Sequence, residues 1–378
     1  MFWSRKTNAR TAYNLQNPMK DMVNKMDIQS AKKSVIEAGK ILLSTGLIAR
    51  TWGNISCRLD DAQFVITPSG RAYDSLTPDD IVTVGISDAS YEGDVKPSSE
   101  RGIHAACYRM RPDVNFVIHT HQTNASVMSV LSMDLIVKSS EFVNLLGDSV
   151  PLAKYGLPGT KKLCKGVCEA IERGKSDAII MAHHGALCMG GDFSTAFQTA
   201  LTLERASEEH FKGAAADYAG DTASSERTPD GFTMLTDKPL DGSRETQIHG
   251  VIYGARPDVN YIIHSADGYA VKCSAGKKPM KPMLDDFAQL LGRNVKIAKD
   301  RDRDIAKKTK GRNAVFVRNS GAYCYASAKS DAEAAEMIMR KGCKTQVEAS
   351  LLGNPKTISA VESALMRLIY LKKYSKKI

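Results

Sequence analysis

The sequence lacks a long apolar segment: no stretch approaches the ~20 consecutive apolar residues that a membrane-spanning helix needs. Residues 1–26 have no apolar centre of the kind that a secretory signal carries, and we expect a loosely ordered leader there. The eight cysteines include no Cys-x-x-Cys pair, and their spacing argues against a disulfide framework. These absences favour a cytoplasmic protein with reduced thiols.

Acidic residues are too few to balance the basic ones, and the formal net charge is +10. Lysine and arginine cluster in residues 277–281, 307–312 and 372–377. Such clusters would suit a nucleic-acid partner, but no nucleic-acid-binding motif accompanies them. The simpler interpretation is a solvated basic surface that also favours anionic substrates. We therefore predict neither a nucleic-acid nor a membrane partner.

The chain contains an internal repeat of domain length. Arg111–His119 and Arg256–His264 are identical at seven of nine positions, and the other two are Phe/Tyr and Val/Ile exchanges. The two runs are 145 residues apart, and so are Glu100 and Glu245, which precede them. A repeat of ~150 residues indicates a duplicated domain and not a solenoid unit.

A second pair of matching segments, residues 177–188 and 313–324, is separated by 136 residues, so the second copy is shorter by nine. Between the copies, residues 214–229 are small, polar and aperiodic, as linkers are. We therefore predict a catalytic domain over 27–213, a linker over 214–229 and a degenerate second copy over 230–378.

Within the first copy, helical spacing alternates with apolar strand-like runs. Ile103, Ala106, Cys107 and Met110 recur at helical spacing, and the β-branched run that follows ends in histidines. Strands alternating with helices predict an α/β layer architecture.

A candidate metal site begins with His119 and His121, which point to one face of a strand because side chains alternate along it. Such a pair alone fits a hydrogen-bonded core equally well. His184, after another apolar strand, and Glu100 complete a four-ligand set. Three imidazoles and a carboxylate suit Zn²⁺, and also Mn²⁺ or Co²⁺.

Six motifs in a fixed order extend this pattern over about residues 27–212. They are Gly53–Ser56, Thr67–Gly70, Leu76–Pro78, Pro97–Glu100, His119–His121 and His184–Gly185. With them the chain resembles the class II aldolase/adducin family, in particular its L-fuculose-phosphate aldolases. The resemblance implies a three-layer α/β/α module, duplicated, with the second copy truncated.

The resemblance also implies roles for individual residues. The metal ligands would be His119, His121 and His184, and Glu100 would leave the metal when substrate binds and act as acid/base. The phosphate pocket would be formed by Asn54, Ser69, Gly70, Ser98 and Ser99. Small hydroxyls, a glycine and a helix N-terminus suit an anion physically.

The implied reaction is retro-aldol cleavage of a ketose 1-phosphate through a metal-stabilised enediolate. The fuculose-phosphate enzymes use a tyrosine acid after the His-x-His strand, where this chain has Ser140. A sugar-phosphate epimerase or decarboxylase therefore stays open. A non-catalytic, adducin-like scaffold is a third hypothesis, although the first copy keeps the ligands that such scaffolds have lost.

The second copy has lost most of this set. Ala266 stands at the position of His121, Ser320 at that of His184, and no counterpart of Gly53–Ser56 is evident. We interpret it as a non-catalytic partner domain. Because one-module relatives assemble as rings with shared active sites, we expect a homo-oligomer. We also expect the second copy to supply residues to the first copy's site, with Lys272, Lys277 and Tyr323 as candidates.

Overall fold

The computed structural model describes residues 27–48, 50–211, 222–235 and 243–373. The expected leader, residues 1–26, lies outside these ranges, as does the 214–221 part of the expected linker. None of the helices in the described ranges has the length and apolar character to cross a membrane.

The first module is built around a mixed sheet. Its elements are α1 (Ile28–Ser44), β1 (Asn54–Arg58), β2 (Gln63–Ile66), two 3₁₀ turns (Tyr73–Ser75 and Pro78–Asp80), β3 (Val82–Gly85), α2 (Arg101–Met110), β4 (Phe116–Thr120), α3 (Thr123–Met128), β5 (Leu135–Ile136), α4 (Ser140–Leu146), β6 (Ser149–Val150), β7 (Leu152–Ala153), α5 (Lys161–Arg173), β8 (Ala178–Met181), β9 (Gly185–Gly190) and α6 (Phe193–Glu208). The main sheet has the order β3-β2-β1-β4-β9-β8-β7.

Helices cover both faces of this sheet. Val117 points to a core shared with α2 and α5, whereas its neighbours Phe116 and Ile118 point to a core shared with α1 and α6. This alternation follows from the two-residue period of a strand and requires apolar residues on both sides. The predicted three-layer α/β/α architecture is therefore confirmed.

The second module repeats the arrangement. Its elements are β10 (Thr222–Thr228), β11 (Gly231–Met234), α7 (Arg244–Ala255), β12 (Tyr261–Ser265), α8 (Gly268–Ser274), α9 (Asp285–Leu291), β13 (Ile297–Ala298), α10 (Asp302–Thr309), β14 (Ala314–Val317), β15 (Gly321–Ala326), α11 (Lys329–Leu352) and α12 (Ala360–Lys373). Its sheet order β11-β10-β12-β15-β14-β13 matches that of the first sheet without β3. The predicted duplication is confirmed, and among the described residues the truncation removes the strand at one edge.

Strand β10 corrects two expectations. It lies within the segment predicted as a linker, because Thr-Ala-Ser-Ser-Glu-Arg-Thr is too polar to be recognised as a strand, yet Ala223 and Ser225 are buried. Ala223 pairs with His264 as Asn54 pairs with His119, so β10 is the counterpart of β1. The prediction that the second copy has no counterpart of Gly53–Ser56 was therefore wrong.

The two modules share one hydrophobic core. A single cluster of buried side chains includes Met128 and Ala200 of the first module together with Phe287 and Met339 of the second. Helix α11 packs against α3 across this boundary. Removing the second module would expose that core to water, so each module depends on the other for its burial.

Candidate metal centre

Two strand ends bring the three histidines together. His119 lies in β4 and His121 directly follows it, while His184 lies in the turn between β8 and β9, the strand that pairs with β4. Gly185 permits this approach, because a Cβ there would lie 2.2 Å from the carbonyl oxygen of Thr120. The close contact of the two strand ends therefore depends on a glycine directly after His184.

The imidazoles converge on one point. One ring nitrogen from each of His119, His121 and His184 lies within 4.8 Å of the other two. The rings of His119 and His184 are stacked with centroids 4.9 Å apart. Glu100 completes the group: its Oε1 is 2.9 Å from Nε2 of His184 and its Oε2 is 3.4 Å from Nε2 of His119.

The remaining ring nitrogens fix the orientation. Nδ1 of His119 donates to the carbonyl of Ala186 at 3.0 Å, and Nδ1 of His184 donates to Asp285 at 2.9 Å. With Nδ1 occupied in this way, the Nε2 atoms of both rings face the common point. A bound proton on Nδ1 leaves the lone pair of Nε2 available to a cation.

Two atoms show that this group fits a divalent metal. Oε1 of Glu100 and Nε2 of His184 are buried and have no hydrogen-bond partner in the described structure, although they are 2.9 Å apart. Buried polar atoms are nearly always paired, so two misaligned neighbours indicate a shared third partner. Three nitrogens and one carboxylate oxygen are a donor set that Zn²⁺, Mn²⁺ or Co²⁺ accepts.

The electrostatics of the group favour a positive charge at this point. Burial lowers the pKa of His119 well below its usual value. Burial also opposes a charge on His184, but Glu100 and Asp285 outweigh it and raise its pKa to about 10. Burial likewise works to raise the pKa of Glu100, but His184 and His119 hold it well below its usual range.

These shifts predict pH-dependent metal binding. Without metal, His184 is protonated at pH 7 because its pKa is about 10, so an entering cation must displace that proton. The dissociation constant for Zn²⁺ or Co²⁺ should then fall ~10-fold per pH unit between pH 6.5 and 8.5. Calorimetric titrations in buffers of different ionisation enthalpy would measure the proton release. A dissociation constant independent of pH would contradict the expectation.

A relay of buried polar groups holds Glu100 and was missed by sequence reasoning. Tyr108 donates to the hydroxyl of Ser56, and Ser56 donates to Nδ1 of His104. Nε2 of His104 in turn donates to the side-chain amide oxygen of Asn54. Asn54 in turn donates its Nδ2 to Glu100 at 2.9 Å. This direction requires a neutral His104, which agrees with burial lowering its pKa to about 4.

The second module retains part of this relay. Ser225 contacts Nδ1 of His249 and the hydroxyl of Tyr253, as Ser56 contacts His104 and Tyr108. Ala223 replaces Asn54, and Nε2 of His249 is left buried without a hydrogen-bond partner among the described residues. The Ser, His and Tyr of the two copies are the signal that could have revealed the network.

A cavity of about 400 Å³ opens above the candidate metal centre. Its lining includes Glu100, His121 and His184 together with all five predicted phosphate-binding residues, namely Asn54, Ser69, Gly70, Ser98 and Ser99. The backbone N–H of Ser69 donates to the carbonyl of Lys96, and that of Ser98 donates to the carbonyl of Thr67. These two serines can therefore offer a ligand their hydroxyl groups but not their backbone N–H groups. The opposite wall comes from the second module through Gln289, Leu365, Met366, Ile369 and Tyr370.

The second module contributes other residues than those predicted. Lys272, Lys277 and Tyr323 do not line the cavity. Asp285 and Asp286 of α9 approach the histidines instead, and Tyr323 stacks on His264 with ring centroids 4.1 Å apart. The second copy therefore places residues beside the candidate ligands of the first, as expected, but they are not the residues that were predicted.

His264, the counterpart of His119, is not arranged to bind a metal. Its Nδ1 is engaged by the carboxylate of Glu245, and its Nε2 by the carbonyl of Ser320 at 2.7 Å. Both ring nitrogens are thus occupied. This geometry supports the interpretation of the second module as a non-catalytic partner.

Comparisons with known proteins agree with the duplication. The sequence profile of the class II aldolase and adducin N-terminal domain matches residues 33–211 and again residues 223–347. A 5-deoxy-D-ribulose 1-phosphate aldolase of Bacillus thuringiensis serovar kurstaki is 31% identical over 189 residues, which cover 50% of this chain and 87% of the relative.

Two further relatives match a similar share of this chain. A 5-methylthioribulose-1-phosphate/5-deoxyribulose-1-phosphate aldolase of Escherichia coli O45:K1 is 38% identical over 163 residues, 43% of this chain and 74% of the relative. The solved structure of an L-fuculose 1-phosphate aldolase matches 49% of this chain and 86% of its own, at 31% identity and a TM-score of 0.46.

Proposed function

Since the chain belongs to the class II aldolase and adducin family, we propose that it is a metal-dependent aldehyde-lyase that cleaves a ketose 1-phosphate by a retro-aldol reaction. The observation that carries the proposal is the convergence of three imidazoles and Glu100, of which His121, His184 and Glu100 line a cavity with hydroxyl-bearing walls. The names of the relatives, all sugar-phosphate aldolases, support the substrate class.

Residues His119, His121 and His184 would hold the cation, with Glu100 as a fourth ligand before substrate binds. A divalent cation supplies a Lewis acid that withdraws electrons from the substrate carbonyl and stabilises the charge left by bond cleavage. The serine hydroxyls of the cavity would hold the phosphate and so keep the reacting carbons beside Glu100.

Glu100 would carry the proton that balances the reaction. When the C3–C4 bond of the ketose breaks, its electron pair stays on C3, the C4 hydroxyl loses its proton, and C4 leaves as an aldehyde. Glu100 would then deliver a proton to C3, yielding dihydroxyacetone phosphate. The hydrogen bond from Asn54, at 2.9 Å, would keep the carboxylate in place once substrate took its position beside the cation.

The base that accepts the proton of the C4 hydroxyl as the aldehyde leaves is a separate group from Glu100. Ser140, at the position of the family tyrosine, is exposed at the start of α4 and does not line the cavity. This observation favours an alternative in which the same centre catalyses epimerisation or decarboxylation of a sugar phosphate. Both alternatives share Glu100 and the cation, but an epimerase yields a product in which C3 and C4 are joined, and a decarboxylase breaks a different bond.

An assay of released products tests the proposal. The full chain, loaded with Zn²⁺, Mn²⁺ or Co²⁺, is given ribulose 1-phosphate, 5-deoxyribulose 1-phosphate or unphosphorylated ribulose. We expect dihydroxyacetone phosphate from the phosphorylated sugars, with kcat/KM ~10-fold higher for the deoxy sugar because Leu365, Met366 and Ile369 offer an apolar wall.

Coupled reduction of dihydroxyacetone phosphate and mass spectrometry of the sugars provide the two readouts. Conversion to an isomeric sugar phosphate without dihydroxyacetone phosphate would favour the epimerase. Release of carbon dioxide when an acidic sugar phosphate is supplied in a parallel reaction would favour the decarboxylase. A chain that binds no metal and transforms none of these compounds would support the scaffold hypothesis.

A further inference from the structure

Two adjacent carboxylates of the second module lie behind the metal-binding face of the first. Oδ2 of Asp285 is 2.9 Å from Nδ1 of His184, and Oδ2 of Asp286 is 3.6 Å from Nδ1 of His121. Both aspartates are fully buried, at 0% and 1% exposure. Burying two carboxylates is unfavourable unless each has partners, so their placement needs a compensating interaction.

Each carboxylate has such partners, drawn from both modules. The ammonium of Lys341 donates to Oδ2 of Asp286 at 2.8 Å and to the backbone carbonyl of His121, also at 2.8 Å. The hydroxyl of Tyr155 donates to Oδ1 of Asp285 at 3.1 Å. Lys341 thus connects the second module's carboxylate to the strand end that carries a candidate ligand.

Backbone contacts fix the register between α9 and the histidine turn. The N–H of Asp285 donates to the carbonyl of His183 at 2.8 Å, and Nδ1 of His183 donates to the carbonyl of Met283 at 2.7 Å. His183 has φ = 63°, a left-handed conformation that is unfavourable for a residue with a Cβ. These two bonds hold the turn that presents His184.

The internal repeat shows that the carboxylates are not required to build this helix. Helix α4 is the counterpart of α9, and Ser140 and Glu141 stand 145 positions before Asp285 and Asp286. The side chain of Glu141 is 70% exposed and forms an ion pair with Arg205 at 3.4 Å. The apolar residues that pack the two helices are alike, Phe142 and Phe287 among them, whereas the two positions that face the histidines differ.

We infer that Asp285, held by Tyr155, and Asp286, held by Lys341, are positioning residues that the second module supplies to the metal centre of the first. A carboxylate that accepts the Nδ1 proton, as Asp285 does from His184, fixes the tautomer and the rotation of the ring and directs the lone pair of Nε2 at the cation. Asp286, 3.6 Å from Nδ1 of His121, acts on that ring through its negative charge. The second module then sets the affinity of a site whose ligands all lie elsewhere. This inference rests on the metal centre of the proposed function.

The test is a metal titration of full-length variants. Asp285→Asn, Asp285→Ala and Asp286→Asn are compared with Ser140→Ala and Glu141→Gln, the matched changes in α4. Competition with a chromophoric chelator gives the dissociation constants for Zn²⁺ and Co²⁺. We expect a 10- to 100-fold loss of affinity for each α9 variant, largest for Asp285→Ala, and no change for the α4 variants.

A second readout separates positioning from folding. The ¹⁵N chemical shifts of the histidine side chains report which ring nitrogen is protonated. In Asp285→Ala the shifts of His184 should change. In Asp285→Asn the unfolding temperature should stay near that of the unchanged protein. Unchanged affinity and unchanged shifts in folded Asp285 and Asp286 variants would overturn the inference. If the unchanged protein itself binds neither metal, the proposed function fails and not this inference alone.

Discussion

Replacing two histidines of the first module by the residues at the matching positions of the second module is expected to abolish metal binding. The variant His121→Ala/His184→Ser reproduces Ala266 and Ser320, leaving one imidazole and Glu100 of the four candidate ligands. A single imidazole and a single carboxylate do not retain a catalytic cation. Elemental analysis should fall from about one divalent metal per chain to none, and kcat should fall ~1000-fold or more, because the Lewis acid contributes several kcal/mol.

The internal repeat also supplies the control. The same strand pairing surrounds the positions in both modules, since His119 lies opposite Leu187 and His264 lies opposite Tyr323, so alanine and serine are tolerated by the fold. His264→Ala should leave metal content and turnover unchanged, because both nitrogens of that ring are already engaged. Metal retained in the first variant, or lost in the second, would show that the cation binds elsewhere.

Much of this centre follows from sequence because its parts are local. Alternation along β4 places His119 and His121 on one side, and the glycine after His184 allows the neighbouring strand to approach. Glu100 was placed by the order of the motifs, and its position at the start of α2 is a local property as well. Contacts of this kind need only strand period and turn chemistry.

Contacts across the modules could not be predicted in the same way. Asp285 and Asp286 stand in the first turn of a helix, where acidic residues are favoured in any protein and are normally exposed. Their burial results from how α9 docks on the turn at His183, which depends on the shapes of two whole modules. The charge of Lys272 and Lys277, which were expected in this role, carries no information about docking.

Asn54 illustrates a different limit. Its motif predicted a phosphate contact, and its side chain does line the cavity, but its amide also donates to Glu100 and accepts from His104. Spacing in a sequence cannot distinguish a residue that binds substrate from one that orients the acid/base. Comparison of the copies can, because Ala223 at the same position leaves His249 without the partner that His104 has.

Glu100→Gln is expected to lower kcat by ~100- to 10,000-fold with little change in KM, because a positioned general acid or base contributes that much. Glutamine keeps the shape and can still accept from Asn54, and the three imidazoles still hold the cation. The direct measurement is deuterium exchange into dihydroxyacetone phosphate in heavy water without an aldehyde, which isolates the proton transfer at carbon from bond cleavage.

Glu245→Gln is the matched control, because Glu245 stands 145 positions after Glu100 and pairs with His264, away from the cavity. It should exchange deuterium and turn over at the rate of the unchanged protein. If Glu100→Gln also exchanged at that rate, another group would be moving the proton. The imidazoles of His119 and His184 are poor candidates for that group, because each already uses Nδ1 in a hydrogen bond and would lose the lone pair of Nε2 to a bound cation.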